Sequence, residues 1–471
     1  MDMKKNRFNY FILGLVFTLS SCAEWLNVEP RQSVDSATAL TSPEAITAAT
    51  NAVYARLRQV TMYGRDFLAI PELLADNAFN TGAGNRLVGQ FNNNPGAHMN
   101  NWQAAYFSIN QINLIFEAWI RQPFVVDFEN NIRGQLHFLR ALIYHDLMRV
   151  YAYDPTAIIE EVNKGGVPLL TTGVLSVNQI TLPARASIDE VYTFIYNDLE
   201  QAYGFLLPVG NTRRPHFATA GAAAALFSRV ALYNGDYQRV IQQAELAFSS
   251  GTATFPSDAV EGWRAQVHPE SFFEVVFTAP DNIGANESLR ATFMTRTFLN
   301  DPNPASHGNV VFTDDLFAQF AADDLRQDLI QRGLGVNTNF RETNKFASKN
   351  GVPNLDNVPV IRFAEVITNK AEAHYHLGQF DLALQELNRV RTRAGLEALS
   401  GLAGPEILEE ILIEKRREFC FEGHRFFDLK RLGRDIVKEF GVIEFNDFRI
   451  LNNIPNREIE INPNLEQNRG Y

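Results

Sequence analysis

The sequence predicts a mainly α-helical protein whose stacked helix pairs carry an irregular, loop-rich region. Three observations point there. Apolar residues recur at three- and four-residue spacing over long stretches. Two of these helical stretches are split by a short turn containing glycine. The segment between them, 251–357, is dense in Pro and Gly and has only short periodic runs. The chain has 471 residues, 46% apolar and 20% charged, the make-up of a globular protein with a large core.

In chain order, residues 42–60 read as a helix with Ser42 as N-cap and Pro43 at the first position. Phe79 to Asn101 is rich in Asn and Gly and has no periodicity, so it reads as a long loop. Trp102, Tyr106, Ile109, Ile112 and Phe116 define a helix over 102–120, with Trp102 assigned to the core. Ile132, Leu136, Leu139, Ile143, Leu147 and Val150 form one stripe on a helix over 131–151. Lys164 to Leu170 is a turn leading into a short extended segment. Ser187 and Glu190 form a capping box, opening a helix to about Gln201. Phe272–Phe277 suggests a strand. Residues 405–432 are expected to be helical again, with Cys420 inside that helix as a buried thiol, and 440–471 are mostly irregular.

Residues 218–234 and 237–249 pair across Asn234-Gly235-Asp236, and 363–377 and 381–393 pair across Gly378-Gln379. In both, an aromatic follows the glycine by two (Tyr237, Phe380) and small or apolar residues recur after it. This is a tetratricopeptide-like pattern, in which each hairpin buries its faces only by stacking on a neighbour. Residues 131–151 and 187–201 suggest a further, more divergent pair. The expected layout is helical repeats over about 131–250 and 358–432, with irregular ligand-binding segments over about 61–101 and 251–357.

The start of the chain reads as an address. Lys4, Lys5 and Arg7 precede an apolar run from Phe8 to Leu19 that is too short to span a bilayer. Leu19-Ser20-Ser21-Cys22 resembles a bacterial lipobox. The expectation is a signal peptide over 1–21 and lipidation of Cys22, which anchors the chain through acyl chains. The formal net charge of −12 repels phosphate backbones and argues against nucleic acid as a partner.

Several segments, in order, resemble the SusD/RagB family of outer-membrane nutrient-binding lipoproteins. They are Trp25 to Pro30 after the lipobox, Gly165 to Leu169, Arg185 to Tyr192 with Asp198-Leu199, Ala222 to Tyr237, and Ala364 to Gly378. Most specific is Glu418-Phe-Cys-Phe-Glu-Gly-His-Arg-Phe-Phe-Asp-Leu-Lys-Arg431. Asn462 to Tyr471 closes the chain as family members often close, although Arg469 stands where many have Pro. The resemblance implies a helical fold with four tetratricopeptide-like units and an irregular ligand-binding region. It implies a surface-exposed, lipid-anchored outer-membrane protein that binds an oligosaccharide, or a peptide, for a SusC-like TonB-dependent transporter. No catalytic activity, cofactor or metal is expected; a glycosidase is the remote alternative.

Glu414, Arg417, Glu418, Glu422, Arg425, Asp428 and Arg431 read as an ion-pair lattice on a helix, since many spacings are three or four. His374 and His376 point about 200° apart on a helix and cannot readily share a metal ion. The candidate ligand-binding residues are loop aromatics and planar polar groups: Phe79, Asn80, Asn85, Arg86, Phe91, Asn92 and His98 in the first loop, and Trp263, Phe298 and Phe340 in the irregular region. Flat apolar faces with amides and guanidinium groups beside them suit sugar recognition. Arg425→Ala is expected to lower the melting temperature and leave ligand affinity of the folded protein unchanged. Lost binding at unchanged stability would overturn the structural assignment of that lattice.

Overall fold

The computed structural model describes residues 40–121, 124–210 and 215–471; the signal segment and Cys22 lie outside these. The helices that build the body are α1 (Pro43–Arg56), α2 (Asp66–Leu74), α3 (Val88–Phe91), α4 (Trp102–Arg121), α5 (Val126–Tyr151), α6 (Ile188–Leu206), α7 (Ala220–Tyr233) and α8 (Tyr237–Ser249). Toward the C-terminus follow α9 (Phe363–His376), α10 (Phe380–Arg393), α11 (Pro405–Glu418), α12 (Arg425–Arg431) and α13 (Asn456–Ile461). The protein is mainly helical, as the sequence predicts.

The expected caps are present. Ser42 accepts from the Ala45 amide at 3.2 Å, and Ser187 and Glu190 bond reciprocally at 3.1 and 2.8 Å, satisfying amides that the first turn leaves open. The divergent pair exists: α5 packs on α6, where Arg140 grips the Asp198 carboxylate with two nitrogens at 2.7 and 2.8 Å. Tyr144 meets Phe194 edge to face. In α7 every side chain is buried, and the run Ala222 to Ala225 permits close approach of its neighbours. Gly235, at φ +73°, makes the left-handed turn into α8 that a Cβ would strain. Next, α9 stacks on α8, with Tyr237 flat against His376 at 4.3 Å between centroids. A smaller core of Ala371, Ala383, Leu387, Ile407 and Ile411 joins α9, α10 and α11.

The described residues contain four two-stranded antiparallel sheets. They pair β1 (Ala78–Asn80) with β3 (Val310–Phe312), β2 (Ser271–Val275) with β6 (Val358–Arg362), β4 (Ile330–Arg332) with β5 (Arg341–Thr343), and β7 (Ile436–Lys438) with β8 (Gly441–Ile443). Two of them, β1–β3 and β2–β6, join segments far apart in sequence. The strand expected at Phe272–Phe277 is β2. The β1–β3 register sets Ala78 against Phe312 and Asn80 against Val310, which brings the first loop onto the irregular region.

Two expectations need correction. Residues 61–74 are not irregular: a π-helical turn over Val60–Gly64 leads into α2. All nine residues of α2 are buried, so it has no polar face and no helical period to read. Residues 405–432 are not one helix. The chain leaves α11 at Glu418, turns through Phe421 at φ +64° and Gly423 at φ +81°, and re-enters as α12. A Cβ on Gly423 would lie 1.8 Å from the Phe67 carbonyl oxygen, so glycine is required. Cys420 therefore sits in that turn, not in a helix. It is buried, donates to the Arg417 carbonyl at 3.3 Å, and burial pushes its thiol up to about 12, so it is inert.

The lattice is real but mostly links different elements. Glu418 accepts from Arg362 at 3.0 Å, Arg393 at 2.6 Å and Arg326 at 3.1 Å. Glu422 takes Arg362 at 2.7 Å and Lys345 at 2.7 Å, while Glu372 takes Arg431 at 2.8 Å and Lys415 at 3.3 Å. Arg417–Glu414 and Arg431–Asp428 are the pairs of the expected within-helix kind. All these groups are buried, where breaking a pair leaves an uncompensated charge. Burial pushes the carboxyls of Glu372, Glu414, Glu418 and Glu422 up, but the facing guanidinium and ammonium groups outweigh it and hold them below the ordinary 4.5.

Arg362→Ala, which removes the one cation that buried Glu418 and Glu422 share, is expected to cost about 3–5 kcal/mol in denaturant unfolding; a loss under about 1 kcal/mol would contradict the lattice's role. Because these folded-state carboxyls titrate below their unfolded values, their contribution is complete above pH 4.5 and disappears as pH falls below it. Melting temperature recorded from pH 7 to pH 3 is expected to fall mainly below 4.5.

Candidate functional site

A cleft of about 390 Å³ opens where the first loop, the segment after β3 and the β7–β8 hairpin meet. Phe79 and Phe91 form one wall, edge to face at 5.2 Å between centroids. Phe440 meets Phe91 edge to face at 5.3 Å from the hairpin side. Phe340 stacks behind Phe79 at 5.6 Å. Thr313 and Asp315 enter from the end of β3, and Ala75, Asp76 and Ala78 form the floor. Glu439 and Phe440 are the two-residue turn of the hairpin, since Lys438 pairs with Gly441. Phe440 is 54% exposed and Val437 63%. Apolar side chains held open to water in this way need a reason beyond stability.

The polar groups of the cleft are locked from behind. Arg425 grips the Asp76 carboxylate at 2.7 and 2.8 Å, and Arg416 bonds Asn77 at 2.7 Å and Asp315 at 2.7 Å. Lys438 donates all three N–H groups inward, to the Leu73 carbonyl, the Phe91 carbonyl and Asn93. Burial pulls its ammonium down to about 7 while Asp76 opposes that fall. The three oxygens hold the Lys438 nitrogen under the aromatic wall and fix the hairpin to α2 and α3. Because Arg425 orients a carboxylate of the cleft floor, its removal is now expected to disturb binding as well as stability.

The structure unites some of the predicted residues and separates others. Phe79 and Phe91 line the cleft, Phe340 backs it, and exposed Asn92 adjoins Phe91. The Asn80 amide is used internally, donating to the Arg86 carbonyl and accepting from the Gly82 amide, both at 2.8 Å. Asn85 is exposed at φ +54°, and the guanidinium of Arg86 pairs with Glu287 at 3.1 Å. His98 is a core residue: its Nδ1 accepts from the Met99 amide at 2.9 Å, its ring packs on Phe426, and burial pulls it down to about 3. Trp263 is also core, 2% exposed between His268 and Phe346. Phe298 is half-buried in its own loop, where its amide bonds Asp301. Neither Trp263, Phe298 nor His98 reaches the cleft lining.

Sequence reasoning missed Asp76, Thr313, Asp315 and the whole hairpin. The hairpin did carry a signal: Ile436-Val437 and Val442-Ile443 are β-branched pairs around a short turn. The turn residues Glu439 and Phe440 lack the Asn-Gly type that marks such hairpins. His374 bonds Gln379 at 2.6 Å, and among the described residues no cluster of His, Cys, Asp or Glu could hold a metal ion.

Fold and cleft together define a class: helix-pair scaffolds whose insertions frame an open, aromatic-walled cleft. Comparison with known proteins gives the family. Residues 290–471 match the SusD family model, and 24–232 match a family model described as starch-binding, associating with the outer membrane. This chain belongs to the SusD/RagB family. SusD-like protein P38 of Formosa agariphila is 24% identical over 98% of both chains, and SusD-like protein P2 of the same organism 23% over 100% of this chain and 96% of that one. The fold matches a SusD superfamily protein from Bacteroides vulgatus (TM-score 0.80, 21% identity, covering 92% of this chain and 99% of that one) and one from Bacteroides thetaiotaomicron (0.78, 23%, 91% and 100%). A SusD-like carbohydrate binding protein from Bacteroides vulgatus matches at 0.74, with 18% identity over 90% and 97%.

Proposed function

We propose that this protein captures an oligosaccharide in the Phe79–Phe91–Phe440 cleft and delivers it to a SusC-like TonB-dependent transporter, held at the outer membrane by lipid on Cys22. The observation that carries the reading is the aromatic frame itself. Three phenylalanines, two from the first loop and one from the hairpin, line an open cleft, and a sugar ring presents a C–H face to such rings while its hydroxyls meet the rim. The family description of starch binding and outer-membrane association supports this. Among the described residues no helix is long and apolar enough to cross a membrane, which is compatible with attachment through the lipid.

The protein acts as a binder and makes no bonds. Glycoside hydrolysis needs a carboxylic acid kept protonated beside a second carboxylate. Arg425 and Arg416 hold Asp76, in the cleft floor, below the ordinary carboxylate range against the upward push of burial. The buried carboxylates of the lattice are engaged with Arg and Lys. Phe91→Ala and Phe440→Ala are each expected to weaken glycan binding by roughly five- to tenfold, about 1–1.5 kcal/mol. For exposed Phe440 the melting point is expected to change little. Isothermal titration of glycan and peptide panels reads the outcome. Full affinity in both variants would remove the cleft from the binding site, and binding confined to peptides would replace the sugar.

A further inference from the structure

We infer that the cleft takes uncharged or amine-bearing sugars and rejects uronates and sulfated glycans. The inference rests on the glycan reading given above and concerns which glycans that site accepts. The polar groups that face solvent at the rim are carboxylates. Asp315 is 69% exposed with one oxygen on Arg416, and Glu439 stands exposed at the hairpin turn.

Arg416 and Arg425 lie outside the cleft lining, and Lys438, which lines it, turns its nitrogen to protein acceptors. Lys438 spends its three N–H groups on Leu73, Phe91 and Asn93. Arg425 is closed bidentately on Asp76. Arg416 is buried behind the wall, occupied by Asn77, Asp315 and the Asp76 carbonyl. The free valences of the rim are therefore acceptors with negative charge.

Sugar hydroxyls donate into such acceptors, and an ammonium does so with charge assistance. A carboxylate or sulfate brings only acceptors and a like charge, and it meets none of the guanidinium forks that recognise anions. Its desolvation would go uncompensated beside the phenylalanine faces, so the rim discriminates by repulsion as well as by attraction.

The test is a glycan array holding neutral, amine-bearing, uronate and sulfated oligosaccharides, probed with the full mature chain, followed by titration with the glycans retained. Neutral or amine-bearing glycans alone are expected to bind, with binding weakened by Phe91→Ala. The double variant Asp315→Asn/Glu439→Gln is expected to gain roughly tenfold in affinity for oligogalacturonate. Binding of a uronate or sulfated glycan by the unmodified chain, lost on Phe91→Ala, would overturn the charge inference and leave the glycan reading intact. Retention of no glycan of any charge would instead sink the glycan reading, and this inference with it.

Discussion

Buried charge organises this molecule. Glu418 stands where α11 ends and accepts from three arginines that belong to different parts of the chain: Arg326 from the irregular region, Arg362 from the end of β6, and Arg393 from the end of α10. Next to it Glu422, in the turn, holds Arg362 and Lys345. Charges taken out of water are tolerated only when each finds its partners in good geometry. The irregular region must therefore close onto the helical body in one arrangement, or several charges are stranded together. Such a lattice specifies position more than it adds net stability.

The same device reaches the cleft. Arg416, just before the C-terminal motif, and Arg425, within it, end on Asp76, Asn77 and Asp315, so Asp76 in the floor of the cleft is held by a residue more than 300 positions away in sequence. Lys438 does the same for the hairpin, which it nails to the backbone of α2 and α3. A rigid floor under open aromatic faces is the arrangement that loses least entropy when a flexible glycan is bound.

Recognition of the family rests on the same residues. The Glu418–Arg431 motif is the most specific of the segments that resemble the family, and it interleaves many charges with phenylalanines. Its within-helix spacings suggested local pairs, yet most partners are distant. Spacing along one helix shows which groups are able to meet, and burial decides which do. Trp263 and His98 were misplaced for a related reason: an aromatic in an irregular segment looks available, but both are packed as core by strands and turns that have no periodic signature.

The sequence by itself determined the helical class, the helix pairs with their caps and glycine turns, the family, and the two phenylalanines of the first loop that line the cleft. These depend on local periodicity, capping chemistry and backbone freedom, which a few adjacent residues settle. Only the tertiary structure decided that α2 is a helix buried on all sides, that 405–432 breaks at Gly423, and that Asp315, Lys438 and Phe440 join Phe79 and Phe91 around the cleft. Those outcomes depend on contacts between segments hundreds of residues apart, made by strand pairing and buried ion pairs whose partners no local pattern names.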